Sequence, residues 1–320
     1  MSTRSARSYL QDSVKPLKEL VKYCQSTAIY YKLSEPLSQY SSIRIGGKAD
    51  LLVFPTVSHC TEIFKLLKDL NIPYIVIGGG SNTLFPDEGL MGVVVSTEAL
   101  NSCHVIGDKG LLETGAGVSL WRLIRLATES GLSGLEPLAG IPGTIGGAVC
   151  GNAGAFGVEI KDLLSHIEVL RPSGVVERLN REAIRFAYRQ AHLGDGVILR
   201  AVLRLLPEDR EKIRQKVKFY LKEKRSRQPV YRPSLGCVFK NPEGYSAGRL
   251  IDEAGCKGMR QGGIVVSNLH ANFFVNEGRG TAKDYLELLN RVRERVYLAF
   301  GLWLEAEIRH VNQFCHNLKV

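Results

Sequence analysis

Hydrophobic positions along this chain come in short blocks whose spacing switches between the helical and the strand period. Ile63, Phe64, Leu66, Leu67 and Leu70 share one helical face, which predicts a helix over 58–70 with Ser58 as its N-cap. Leu120, Leu123, Ile124, Leu126 and Ala127 do the same for a helix over 119–130, stopped by Gly131. Strands are predicted at 49–54, ended by Pro55, and at 73–77, 93–95, 103–106 and 111–114. More follow at 160–170 and 175–179, around the turn Pro172-Ser173-Gly174, and at 196–206, closed by Pro207. Beyond a break at 207–211 come a basic helix over 211–224, a loop-rich stretch over 230–246 and a short helix over 247–254. Strands at 263–266 and 272–275, a helix over 281–300 and an alternating strand over 303–309 complete the pattern. Residues 1–33 are polar and read as a peripheral extension with one helix over 14–24. Groups of strands between single helices argue for α+β layers rather than a uniform βαβ array.

The strongest local signal is Leu132–Gly157, LSGLEPLAGIPGTIGGAVCGNAGAFG, almost free of charge after Glu136. Glycine weakens helices and strands and lets another group come close to the main chain. Bare backbone N–H groups suit an extended anion such as a pyrophosphate. A tight structural loop or a small-residue packing surface is the alternative. Gly78-Gly79-Gly80-Ser81-Asn82, directly after the strand at 73–77, has the same phosphate-cradling chemistry, with a plain glycine turn as its alternative. Neither stretch is a P-loop, because no Gly-Lys-[Ser/Thr] follows Gly78–Gly80, and Thr83 stands where the dinucleotide fingerprint needs its third glycine. Gly115-x-Gly117 fails in the same way at Leu120. A nucleotide site here belongs to another fold.

Composition narrows the rest. A length of 320 residues favours two or three domains, and 44% hydrophobic residues supply a substantial core. No apolar run approaches the roughly 20 residues needed to span a bilayer, and the N-terminus lacks the apolar segment of a secretory signal. The 7 cysteines are scattered, with no metal-ligand spacing, and read as free thiols of a reducing cytoplasm. No metal site is predicted. The net charge of +10 fits nucleic acid, a membrane surface or an anionic small molecule. The basic run at 212–227 reads mostly as a solvated helix face, and the interleaved aromatics of a single-strand binder are missing.

Taken in order, several motifs point one way: Arg44-Ile45-Gly46-Gly47-x-Ala49-Asp50, Gly78–Asn82, Gly140–Gly147 with Asn152-Ala153-Gly154, Tyr188-Arg189, Phe239-Lys240-Asn241-Pro242 and Leu304-Glu305-Ala306-Glu307. Over residues 34–310 this set resembles the compact branch of the UDP-N-acetylenolpyruvoylglucosamine reductase family. The resemblance implies an α+β FAD-binding fold of the vanillyl-alcohol-oxidase type, with two subdomains at about 34–98 and 99–207. It also implies a C-terminal α+β substrate domain over 208–320. FAD would lie along Gly78, Gly79, Gly80, Ser81, Asn82, Gly140, Pro142, Gly143, Thr144, Gly146, Gly147 and Asn152. NADPH would reduce the flavin and leave, and the enolpyruvyl ether of UDP-N-acetylglucosamine would enter the same cleft. Hydride to C3 and a proton to C2 would then give UDP-N-acetylmuramate for peptidoglycan, in the cytoplasm. The implied partners are thus a UDP-sugar and NADPH, both polyanions, with no nucleic acid and no membrane insertion. Another flavin oxidoreductase of the same fold, or a basic nucleotide-binding protein, remains as the competing reading.

By motif position Arg189 is the cation for the substrate carboxylate and Glu307 its partner, with a pKa raised by the neighbouring carboxylate. Glu305 is expected to turn away as a solvent carboxylate. Cys237 stands where most of the family has the serine that protonates C2. A thiol with a pKa of roughly 8.5 is mostly protonated at neutral pH and can donate, and a cation beside it, Lys240 by position, would lower that value. Water is the alternative donor. Tyr188, Arg225, Lys240, Asn241 and Asn272 are the expected substrate contacts. Gln190-Ala191 departs from the residues usual after the arginine, which puts one local hydrogen bond in doubt.

Overall fold

The computed structural model describes residues 6–107 and 110–312. Helix α1 (Ala6–Ser26) precedes a four-stranded sheet in the order 30–36, 48–54, 90–96, 74–77, antiparallel in its first pair and parallel in the others. Helix α2 (Val57–Asp69) and α1 cover one face of this sheet, where Leu20, Cys24, Ile29, Ile63 and Leu67 pack on Leu51, Val53, Val93 and Val95. The second half of α1 is therefore part of the first lobe's core rather than a peripheral extension, because it packs Leu17, Leu20, Val21, Tyr23 and Cys24 into the cluster on this face of the sheet. The N-cap position of α2 is Thr56, not Ser58.

The second lobe is an antiparallel five-stranded sheet in the order 176–180, 164–170, 197–204, 111–115, 103–106. Helix α3 (Leu120–Glu129), capped by the Ser119 hydroxyl, buries Leu120, Leu123, Ile124 and Ala127 against it as its spacing predicts. Two short helices depart from the expected pattern. Residues 145–150 of the glycine stretch form α4 (Ile145–Cys150), because the Thr144 hydroxyl caps it and Ile145, Ala148 and Val149 are buried. The strand expected from Ile160 starts only at Leu164, after α5 (Ile160–Leu163), whose first turn is held by a Glu159–Asp162 capping box.

Helix α6 (Arg210–Arg227) begins at an Asp209 cap and packs Val217, Tyr220 and Leu221 on the second lobe's core. The polypeptide passes to the last lobe only after it. That lobe is an antiparallel sheet in the order 234–237, 273–276, 264–266, 260–261, covered by α7 (Ala247–Glu253) and α8 (Ala282–Phe300). Its core takes in Ile43, Ile45 and Leu84 from the first lobe, and Arg309–His310 pairs in parallel with Thr83–Leu84. The three lobes thus meet beside the Gly78–Asn82 loop. No helix among the described residues is long and apolar enough to cross a membrane.

Candidate active site

Where the lobes meet, one cleft of about 1000 Å³ opens. Its floor is made by two glycine loops that touch. Gly80 takes φ +57°, and a Cβ there would collide with the Tyr40 carbonyl. Gly143 takes φ +109°, and a Cβ there would come within 2.6 Å of the Ser81 hydroxyl, which donates to the Pro142 carbonyl at 3.2 Å. The close fit leaves main chain exposed on the cleft side. Among the described residues the amides of Gly79, Gly80, Ser81, Asn82, Gly143 and Thr144 donate to no protein acceptor. Unspent N–H groups on two facing loops fit the pyrophosphate of a dinucleotide cofactor. Gly78, Gly140, Gly146 and Gly147 line the same space.

Asn152, expected on the cofactor, is instead fully buried and structural. Its amide donates to Glu159 and the Ala187 carbonyl, and its Oδ1 accepts from the Lys161 amide at 3.4 Å.

Arg189, Cys237 and Glu307 come together in the cleft from three distant segments. Arg189 occupies the two-residue turn between the strands 185–187 and 190–192, at φ +58°. A non-glycine residue in the left-handed region is strained, and such strain gathers at functional sites. Its Nη1 donates to the Gly154 carbonyl at 3.2 Å. Its Nε lies 3.1 Å from Glu307 Oε1 but off the hydrogen-bond direction, so this buried donor has no aligned acceptor. Glu307 has its carboxyl pushed above the usual carboxylate range by burial, with Arg189 and Lys240 opposing. The cause is desolvation by the protein itself, not a neighbouring substrate carboxylate.

Cys237 ends the strand 234–237 and is a free thiol. Burial, with Glu307 adding, pushes it up to about 12, against the lowering pull of Arg189 and Lys224. The expectation of a thiol acidified by Lys240 is thus corrected: the cations that face it are Arg189 and Lys224, and burial outweighs both. The thiol is fully protonated at neutral pH. Lys240 reaches the cleft, but its ammonium is paired with Glu305 at 2.6 Å. Strict strand alternation would put Glu305 and Glu307 on one face. They separate because 303–309 is not a regular strand: Ala306 alone bridges to Phe239 before Arg309–His310 pairs with Thr83–Leu84. Glu305 is exposed, as expected, and Glu307 is half-buried.

Four expected substrate contacts lie elsewhere. The Asn272 side chain is buried and clamps the Phe239 main chain, accepting from its N–H at 2.9 Å and donating to its carbonyl at 2.8 Å. Asn241 accepts from the Ala247 amide at the start of α7. Arg225 stacks on the Tyr231 ring with its Cζ 5.2 Å from the centroid. Tyr188 is half-exposed beside Arg189 and does not line the cleft. Asn241 and Asn272 brace the main chain beside the cleft rather than lining it.

One lining residue was missed. Lys224, in the last turn of α6, is only 6% exposed and turned into the cleft. Burial pulls its ammonium down to about 8. Its signal was in the sequence: Lys224 falls seven, four and three residues after Val217, Tyr220 and Leu221, the buried face of that helix.

A mixed α+β fold, two facing loops of unspent amides and a half-buried Arg–Glu–Cys cluster lining the same cleft define a flavin-dependent oxidoreductase. Residues 49–180 match the family model described as FAD binding domain, and 228–311 match the UDP-N-acetylenolpyruvoylglucosamine reductase C-terminal domain. A UDP-N-acetylenolpyruvoylglucosamine reductase from Caldicellulosiruptor bescii is 41% identical over 301 residues, covering 92% of this chain and 95% of its own. One from Geobacillus kaustophilus is 38% identical over 282 residues, 87% of this chain and 92% of its own. The crystal structure of the Thermus caldophilus UDP-N-acetylenolpyruvylglucosamine reductase aligns with a TM-score of 0.76 at 37% identity, covering 89% of this chain and 99% of that one. The chain belongs to the UDP-N-acetylenolpyruvoylglucosamine reductase family.

Proposed function

We propose that this cleft reduces the enolpyruvyl ether of UDP-N-acetylglucosamine to UDP-N-acetylmuramate with electrons from NADPH, in the cytoplasm, as a step of peptidoglycan precursor synthesis. The observation that carries the reading is the convergence of Arg189, Glu307 and Cys237 over the amide loops. FAD held along the two glycine loops would supply two-electron hydride chemistry to this cleft. The residues named above supply everything else. The amides of Gly79–Asn82 and of Gly143 and Thr144, which donate to no protein acceptor among the described residues, would hold the cofactor's pyrophosphate.

Reduction at C3 builds negative charge at C2 that spreads into the substrate carboxylate. Arg189, with a buried Nε that lacks an aligned acceptor, binds that carboxylate and stabilises the growing charge. Glu307 holds the guanidinium in place, and its raised pKa lets it carry a proton next to a second carboxylate. Cys237 gives its thiol proton to C2. A thiol kept neutral by burial always carries that proton at working pH. The formal charge of +10 serves two polyanionic substrates, NADPH and the UDP-sugar.

A two-step absorbance experiment tests the reading. NADPH alone should bleach the flavin, and the enolpyruvyl sugar added afterwards, without oxygen, should restore the colour. A flavin bleached by NADPH that the enolpyruvyl sugar leaves colourless would overturn it.

A further inference from the structure

Lys224 is a buried cation that the scheme above leaves unused. Other cations of α6 find carboxylates at its surface, Arg214 with Glu211, Lys216 with Glu208 and Arg227 with Glu223, whereas Lys224 is the one turned into the cleft. Among the described residues Lys224 has neither a carboxylate partner nor a hydrogen-bond acceptor for its ammonium. Its stem runs under the cofactor loop, where a Cβ on Gly140 would lie 3.1 Å from Lys224 Cδ, and its Nζ sits 5.9 Å from the centre of the Phe156 ring. The ammonium thus ends in the cleft that Cys237 lines. The charged and titratable groups that face it are Cys237, from the strand 234–237, and Arg189, from the hairpin turn. Glu307 in turn faces Cys237.

Resting on Cys237 as the acid, we propose that Lys224 is a positioning residue that acts through Cys237: its unpaired ammonium stabilises the thiolate as the proton leaves for the substrate carbon. In that step the Sγ–H bond breaks, a C2–H bond forms, and the electron pair left on sulfur faces the ammonium. Water restores the thiol proton after product leaves. The low-dielectric setting that makes the thiol a poor acid also makes a nearby positive charge effective. Arg189 is committed to the substrate carboxylate, which leaves Lys224 as the counter-charge for sulfur. The ammonium must be protonated to act, and burial pulls it down to about 8 in the free protein. The step is therefore supported below that pH and weakens as pH rises through it, and an anionic substrate shifts the limit upward.

Three measurements on the flavin-loaded enzyme test this. Lys224→Gln should slow recolouring of NADPH-reduced flavin by the enolpyruvyl sugar by ~10–100-fold, one to two pKa units of lost acidity. Lys224→Arg should keep most of the rate and lose the alkaline fall, since guanidinium does not deprotonate there. Alkylation of Cys237 by iodoacetamide at pH 8, followed by mass spectrometry, should slow by about tenfold or more in Lys224→Gln and not in Lys224→Arg. The double variant with Cys237→Ala separates the two ideas. If Lys224 acts through the thiol, Lys224→Gln costs nothing further once Cys237 is gone. Full additivity, or a rise in KM alone, overturns the role of Lys224 and leaves Cys237 as the acid. A Cys237→Ala enzyme that recolours at the normal rate instead removes the acid assignment itself.

Discussion

Replacing Lys224 by methionine keeps an unbranched buried stem and removes its charge. The ordinary value of 10.5 is pulled to about 8 by burial, a difference of 10.5 − 8, or about 2.5 pKa units. At about 1.4 kcal/mol per unit this is about 3 kcal/mol by which the fold disfavours the protonated form. The sign follows from proton counts. Between pH 8 and 10.5 the unfolded chain binds the proton and the folded chain does not, so stability rises with pH across that window. The penalty is complete below about pH 8 and gone near 10.5. Lys224→Met should therefore unfold several degrees above the parent at pH 7, a gain that shrinks steadily toward pH 10.5. Thermal unfolding of both flavin-loaded, substrate-free proteins across pH 7–10 measures the difference, and groups common to both cancel. A methionine variant less stable than the parent at pH 7, or a gain that does not change with pH, would refute the reasoning. The same variant should be a poor enzyme, so stability and activity should move in opposite directions.

Cys237→Ala should slow flavin reoxidation by the enolpyruvyl sugar by roughly 10²–10⁴ and leave reduction by NADPH near normal, whereas Cys237→Ser should stay active; stopped-flow absorbance of the two half-reactions separates them. Gly147→Val should fold yet lose its flavin, because a Cβ there meets only Thr144 Oγ1 at 3.7 Å and otherwise points into open cleft; a normal flavin spectrum in the purified variant would place the cofactor elsewhere. Gly146→Val should instead destabilise the protein even without cofactor, since its Cβ presses on Ala116 at 3.0 Å, as unfolding of the flavin-free variant would reveal. Asn272→Ala strands the buried N–H and carbonyl of Phe239 and should cost about 2–4 kcal/mol in denaturant melts, with KM for the sugar unchanged. A raised KM at unchanged stability would restore Asn272 to the substrate.

Periodicity alone located the helices at 57–69, 120–129 and 282–300 and most sheet strands, because each owes its pattern to one buried face. It missed α4 and α5. Both are single turns held by side-chain caps and burial, which a window of propensities averages away. Lys224 was legible as a lysine in phase with an apolar face, yet the surrounding basic run disguised it as solvated surface. Cys237 stood out only through its motif, and nothing local told whether burial or a neighbouring cation would set its pKa.

The resemblance of its motifs to one family pointed to Arg189, Cys237 and Glu307; sequence by itself determined the element pattern, the two glycine loops, and the absence of P-loop and dinucleotide spacings. Those features depend on residue type and short spacing, which a linear chain displays. Only the tertiary structure decided which polar residues face the cleft. Asn272 spends its side chain on buried main chain, Asn152 on Glu159 and the Ala187 carbonyl, and Lys240 on Glu305, while the Lys224 ammonium has only the Phe156 ring beside it. A side chain's partner comes from segments up to 233 positions away, as in the bond from Asn276 to the Ile43 carbonyl, and burial is a property of that packing rather than of the residue. The same packing sets the acidity of Cys237, Glu307 and Lys224, because desolvation exists only once the three lobes have closed around them.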